Sequence, residues 1–115
     1  RLSYLRWINS MNMLIKCKLF YKLKEYILSN KTLFGQYEKI YVFGSILKKE
    51  HYVNDIDLLF VYLEEFDNMV ECSNALAELI EQYLQKPVDL TVLSKTELKE
   101  TSFLRRLNNN YIRII

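Results

Sequence analysis

Residues 40–62 read IYVFGSILKKEHYVNDIDLLFVY, and this stretch decides the fold. Ile40-Tyr41-Val42-Phe43 is β-branched and aromatic, the composition of a strand. It stops at Gly44-Ser45, and Ile46 to Glu50 is expected to form a short helix. The polar run from Lys48 to Asn54 is the one long loop. Asp55-Ile56-Asp57-Leu58-Leu59-Phe60-Val61-Tyr62 is a second strand, strongly apolar after its acidic start.

The pattern continues on both sides. Upstream, Leu14, Cys17, Phe20, Tyr21, Ile27 and Leu28 recur at a spacing that predicts a helix over about 13–29 with one wide buried face. Ser29-Asn30-Lys31 is its stop, and a short linker runs through Gly35. Downstream, Phe66, Met69, Val70, Leu76, Ala77, Ile80, Tyr83 and Leu84 predict a second amphipathic helix. Lys86-Pro87 ends it, because a residue preceding proline is pushed out of the α region. Val88 to Leu93 is a third strand. Ser94-Lys95-Thr96-Glu97 has the S-x-x-E form of a capping box and opens a last helix to about Leu107. Asn108-Asn109-Asn110 breaks that helix, and Tyr111 to Ile115 is a closing strand. The order α-β-α-β-α-β-α-β describes one compact α/β domain without repeats.

Composition narrows the chemistry. A chain of 115 residues suits one domain with a modest core. Ordinary usage would place about eight glycines in it, yet it has only Gly35 and Gly44. Neither a G-x-x-x-x-G-K-[ST] loop nor a G-x-G-x-x-G fingerprint can be written with those two. Apolar runs fall short of the roughly 18 residues of a membrane span, so a soluble protein with no membrane partner is expected. Aromatic residues at 14% argue against disorder. Cys17 and Cys72 are far apart with no C-x-x-C spacing and His51 is the lone histidine, which excludes a four-ligand zinc site. Two buried free thiols are the expectation, and with no signal peptide visible they point to the cytoplasm. Because the chain opens on Arg1 rather than Met, Met11 or Met13 is a candidate natural start and residues 1–10 carry little weight.

The net charge of +2 is unevenly spread. Residues 1–31 hold seven basic side chains against Glu25, while residues 64–81 hold six acidic ones and no basic one. A basic end attracts nucleic acid or an acidic partner, and it is equally the solvated face of a helix. With no arginine cluster and an acidic stretch that repels phosphates, nucleic acid is not the expected partner.

The chain has four aspartates, and Asp55, Asp57 and Asp89 lie in predicted apolar strands. Ionised carboxylates are costly there unless paired or metal-bound. Asp55 and Asp57 are two apart and project from one face, and Asp89 holds a comparable place in the third strand. If the second and third strands are neighbours, three carboxylates converge, and a hard divalent cation such as Mg²⁺ would relieve their repulsion. A D-x-D at a strand start also serves turns and caps, so the pair alone does not identify a metal site. The strand-to-turn junction at Phe43-Gly44-Ser45 adds weight. Gly44 lets a ligand approach the backbone, and amides with the Ser45 hydroxyl make an anion site suited to phosphate.

Val42-Phe43-Gly44-Ser45, Asn54-Asp55-Ile56-Asp57-Leu58-Leu59 and Lys86-Pro87-Val88-Asp89-Leu90 together resemble the minimal nucleotidyltransferase (MNT) domain of the polymerase-β superfamily. The resemblance covers about residues 38–115 and implies a nucleotidyltransferase fold, a small mixed sheet with helices packed on it. By that resemblance, Asp55 and Asp57 would hold two Mg²⁺ ions. Asp89 would ligate the catalytic ion and help to activate the attacking hydroxyl. Gly44 and Ser45 would grip ATP or another nucleoside triphosphate, with Lys48 and Lys49 in the region where relatives often carry an arginine and a glycine. Lysine neutralises phosphate as a point charge but lacks the bidentate geometry of arginine. The gap from Gly-Ser to D-x-D is also on the short side. His51, in the same loop, is either a nucleotide contact or solvated.

Stand-alone domains of this kind resemble the antitoxin half of toxin–antitoxin pairs, whose partner is a HEPN-type ribonuclease that they bind and can modify with AMP. The implied function is Mg²⁺-dependent transfer of AMP from ATP to a hydroxyl on a partner protein. Transfer to a small molecule and nucleic-acid polymerisation rank behind it. The alternative, motivated by the altered Lys48-Lys49 region, is a binding module that keeps the fold and neutralises its partner by contact alone.

Overall fold

The computed structural model describes residues 4–48 and 52–115, the side chains of residues 4–10, 12 and 13 excepted. Helix α1 (Tyr4–Ser29) leads into the short helix α2 (Lys31–Phe34) and strand β1 (Lys39–Phe43). A single 3₁₀ turn (Gly44–Leu47) follows, then strand β2 (Ile56–Tyr62), helix α3 (Met69–Leu84) and strand β3 (Val88–Ser94). Helices α4 (Lys95–Glu100) and α5 (Phe103–Arg106) and strand β4 (Tyr111–Arg113) complete the chain. The four strands form one mixed sheet in the order β3-β2-β1-β4. β1 pairs antiparallel with β2 and with β4. β2 and β3 run parallel, so the chain must cross over between them, and α3 makes that crossover.

Alternation along the strands gives the sheet two different faces. Ile40, Val42, Ile56, Leu58 and Phe60 point to one face and pack with Leu23 and Ile27 of α1 and Leu76, Ile80 and Leu84 of α3. Phe34 and Tyr37 close the end of this core, their rings meeting Phe60 at centroid distances of 6.1 Å and 4.7 Å. The opposite face carries Tyr41, Leu59 and Val61, covered by Leu98 of α4 and by Phe103 and Leu104 of α5. Asp57 has the parity of Leu59 and Val61, so it belongs to this second face, beyond the edge of the cover.

Several expectations shift in detail. α1 begins at Tyr4, well before the expected start near residue 13. The stretch holds no glycine or proline to stop it, and an apolar stripe marks where a helix packs, not where it starts. Its buried line is Lys16, Leu23 and Ile27, whereas Leu14 and Tyr21 face solvent at 57% and 60% exposure. Cys17 is exposed and Cys72 only half-buried, so the thiols are free, as expected, but not buried. On α3 the buried line is Ser73, Leu76, Ile80 and Leu84, with Val70 and Tyr83 exposed. The expected helix after Gly44 is the 3₁₀ turn alone as far as the described residues reach. The linker before β1 contains α2, whose Phe34 is fully buried.

The capping box at Ser94 is present in both directions: Glu97 N–H donates to Ser94 Oγ at 3.0 Å, and Ser94 N–H donates to Glu97 Oε1 at 2.9 Å. The helix it opens is not continuous to Leu107. It breaks at Thr101-Ser102, where Thr101 Oγ1 donates to the Glu97 carbonyl at 2.7 Å and Ser102 takes a left-handed conformation with φ 53°. The Glu97 carbonyl also accepts the Thr101 N–H at 2.9 Å, and a hydroxyl back-bond of this kind bends and weakens a helix end.

The first core depends on Phe60 at its centre. Phe60→Ala is expected to cost about 3–5 kcal/mol of unfolding free energy, the usual range for a buried phenylalanine. Urea denaturation should show a lower midpoint with an unchanged slope.

Candidate functional site

Three local features place the candidate side chains. The parallel register sets Asp57 directly beside Asp89 and Ile56 beside Val88. The Ile56 N–H donates to the Pro87 carbonyl at 2.8 Å, which extends the ladder one residue ahead of β3 and holds the two acidic segments level. Asp55 lies just ahead of β2, two residues before Asp57. One carboxylate oxygen from each of Asp55, Asp57 and Asp89 lies within 4.8 Å of the others. Asp55 and Asp57 are half-buried and Asp89 is exposed. The convergence expected from sequence is therefore present.

Gly44 belongs to the same site. β1 pairs Phe43 with Asp57, so the residue after Phe43 passes close to that carboxylate. Gly44 adopts φ +81°, a conformation that favours glycine. A Cβ added there would overlap Asp57 Oδ2 and lie 2.9 Å from Asp57 Cγ. Glycine is thus required twice over, by backbone conformation and by the close approach of the carboxylate.

Ser45 follows in the 3₁₀ turn. Among the described residues its buried Oγ has no hydrogen-bond partner, an unusual state for a buried hydroxyl. The turn is fastened from behind. Lys48 N–H donates to the Ser45 carbonyl at 3.1 Å, and Lys16 of α1 donates through Nζ to the Lys48 carbonyl. Lys16 is only 6% exposed, and its burial lowers its pKa. The expected stripe passed over this residue, although its position four before Phe20 places a cation on the packed side of the helix. Phe20, Ile46 and Leu47 join Lys16 and Lys48 around a cavity of about 240 Å³. That cavity lies behind the turn, on the α1 side, and the carboxylates do not line it. Lys49 and His51 lie outside the described residues.

The electrostatics follow from this crowding. Asp57 is pushed up to about 6 from an ordinary 3.8, first by desolvation and then by the charges of Asp55 and Asp89, with Lys48 opposing weakly. A carboxylate with a raised pKa gains a proton on folding between about pH 4 and pH 6. Its contribution to stability is therefore greatest at low pH and is lost as pH rises through 6. Oxygen donors in a tight half-buried group fit a hard divalent cation such as Mg²⁺. The Ser45 hydroxyl, buried and without a partner among the described residues, follows Gly44 in the turn.

The fold and site thus combine a compact mixed sheet with an acidic group at its strand ends and an adjoining glycine-serine turn. The family described as "Polymerase beta, Nucleotidyltransferase" matches residues 21–110, and the chain belongs to that family. Among solved structures, one similar chain is from Sulfolobus solfataricus, a protein provisionally assigned as a nucleotidyltransferase. It is 20% identical at a TM-score of 0.55, over 89% of this chain and 84% of that one. A second similarity is to the Shewanella oneidensis complex of an MNT antitoxin with a tri-AMPylated HEPN toxin, at 18% identity and TM-score 0.56, over 84% and 71% of the two chains. A third is to a mutant toxin–antitoxin complex MntA-HpeT, at 19% identity and TM-score 0.57, over 80% and 71%. At these identities the likeness establishes a shared fold. No functionally curated protein matches the sequence.

Two outcomes test the site. In the absence of divalent cations, Asp57→Asn is expected to melt a few degrees above the parent at pH 7.5, with the gap closing near pH 4; a variant that melts lower at pH 7.5 would contradict the repulsion. Gly44→Ala is expected to melt lower at every pH, because the new methyl group must displace Asp57. Thermal scans in EDTA at both pH values read both effects.

Proposed function

We propose that the protein is a Mg²⁺-dependent nucleotidyltransferase that moves AMP from ATP to a hydroxyl on a partner protein. The observation that carries this reading is the convergence of Asp55, Asp57 and Asp89 within 4.8 Å on adjoining strands. Such a group is unfavourable in isolation and is explained by cation binding. Asp55 and Asp57 would hold two ions, with Asp89 a ligand of the catalytic one. Bound there, the ions would supply charge neutralisation at the attacking and leaving oxygens.

The chain's own residues account for the rest. Gly44 lets the turn pass close against the Asp57 carboxylate, and the Ser45 hydroxyl, without a partner among the described residues, would hydrogen-bond to a phosphate once the turn admits it. Lys48, whose charge acts on Asp57, would add positive charge near the triphosphate, and Lys49, next in the sequence, is proposed for the same role. Asp89, exposed at the outer strand, would accept the hydroxyl proton as the acceptor oxygen bonds to the α-phosphorus. The bond from the α-phosphorus to the bridging oxygen breaks, and pyrophosphate leaves.

A protein acceptor agrees with the surface of α1. Met11, Leu14, Ile15 and Tyr21 are between 44% and 60% exposed, an apolar set that a partner can cover. Among the described residues no helix is long and apolar enough to cross a membrane. The antitoxin complexes with a similar fold support a toxin of the HEPN type as that partner. The cytoplasm is the compartment in which such a pair would meet.

Incubation with the partner, Mg²⁺ and α-labelled ATP is expected to label the partner, and the double variant Asp55→Ala/Asp57→Ala should reduce labelling to background. Co-purification of that variant with the partner should persist, since the exposed face of α1 is untouched. If the variant still neutralises the partner fully, contact alone is the mechanism and the transferase reading of the role is wrong.

A further inference from the structure

The register of the sheet carries a row of side chains straight across it. Tyr111 pairs with Phe43, Phe43 with Asp57, and Asp57 with Asp89. Paired residues share a face, so two aromatic rings and two carboxylates line up on the same side of the sheet. Both rings are half-buried and both are braced edge-on. Tyr41 supports Tyr111 at a centroid distance of 5.6 Å and 86°, and Phe103 supports Phe43 at 5.4 Å and 83°. Such T-shaped contacts fix ring orientation.

We infer that Phe43 and Tyr111 form a stacking shelf for the base of the nucleotide. The inference rests on the nucleotidyltransferase reading above and extends it to the part of the substrate that reading leaves unassigned. Adjacent strands are about 4.8 Å apart, so the shelf begins one strand from Asp57 and ends about 10 Å from it. That span is comparable to the reach of a nucleoside from its α-phosphate to its base. The phosphates would lie past the strand end at Gly44 and Ser45, and the nucleoside would fold back over the sheet. The shelf is aromatic on the side where it meets the base, whereas a base-specific pocket would need convergent donors and acceptors. Stacking tolerates any base because every base has a π-face. The shelf therefore selects for a large base and discriminates weakly between adenine and guanine.

The test is calorimetric binding of ATP, GTP and inorganic tripolyphosphate, each with Mg²⁺ and without the acceptor. Tyr111→Leu and Phe43→Leu keep apolar bulk and the fold while removing the ring. Each should weaken ATP and GTP binding by roughly tenfold or more and leave tripolyphosphate binding unchanged; Tyr111→Trp should keep the parent affinity. The parent should bind ATP and GTP within a few-fold of one another. Unchanged nucleotide affinity in both leucine variants, with tripolyphosphate still bound, would overturn the shelf and leave the transferase reading standing. A parent protein that binds neither nucleotide nor tripolyphosphate would overturn both.

Discussion

Repulsion among three carboxylates is the constraint around which this structure is organised. Asp57 cannot move away from Asp89, because the parallel register of β2 and β3 holds the two residues side by side. It cannot swing toward β1 without meeting Gly44, which already has the smallest possible side chain. The apolar residues that follow it, Leu58 to Val61, are almost wholly inaccessible to solvent and anchor the strand. Hydrophobic burial in the core thus imposes an electrostatic cost at the strand end, and the raised pKa of Asp57 reports it. The three carboxylates stand close enough together to be bridged by a single divalent cation.

The two faces of the sheet divide the labour. The face packed by α1 and α3 supplies most of the buried apolar surface and so most of the stability. The other face is covered only in part, by the short helices α4 and α5, which leaves the acidic end accessible. The break at Thr101-Ser102 matters here, since it lets Phe103 turn in beneath Phe43. α1 links the two functions: its C-terminal half fills the core, and its buried Lys16 holds the turn that carries Ser45.

Much of the fold was legible because its signals are local. Strand composition, the proline at 87, the capping box at Ser94 and the asparagines at 108–110 each act within a few residues of themselves. The spacing of Gly-Ser and D-x-D was equally visible. Less legible was which side of a helix would be buried. Leu14 and Tyr21 have the apolar character of core residues and yet face solvent, because the choice depends on where the helix docks. The linker before β1 hid α2, whose four residues are too few for any periodicity to show. The break in the last helix also passed unseen, since serine and threonine are tolerated in helices often enough to give no clear stop.

From the sequence alone it follows that acidic residues interrupt apolar strands, that glycine and serine follow the first strand, and that an amphipathic helix separates the second strand from the third. These are statements about composition and spacing along the chain. The tertiary structure decided that β3 lies beside β2 with no residue of offset, which alone brings Asp89 to Asp57. It also decided that Gly44 abuts a carboxylate, that Lys16 braces the turn, and that Tyr111 joins the row through an edge strand. Those contacts join residues up to 68 positions apart (Phe43 to Tyr111), and they exist only because the shared core sets strand order and register together.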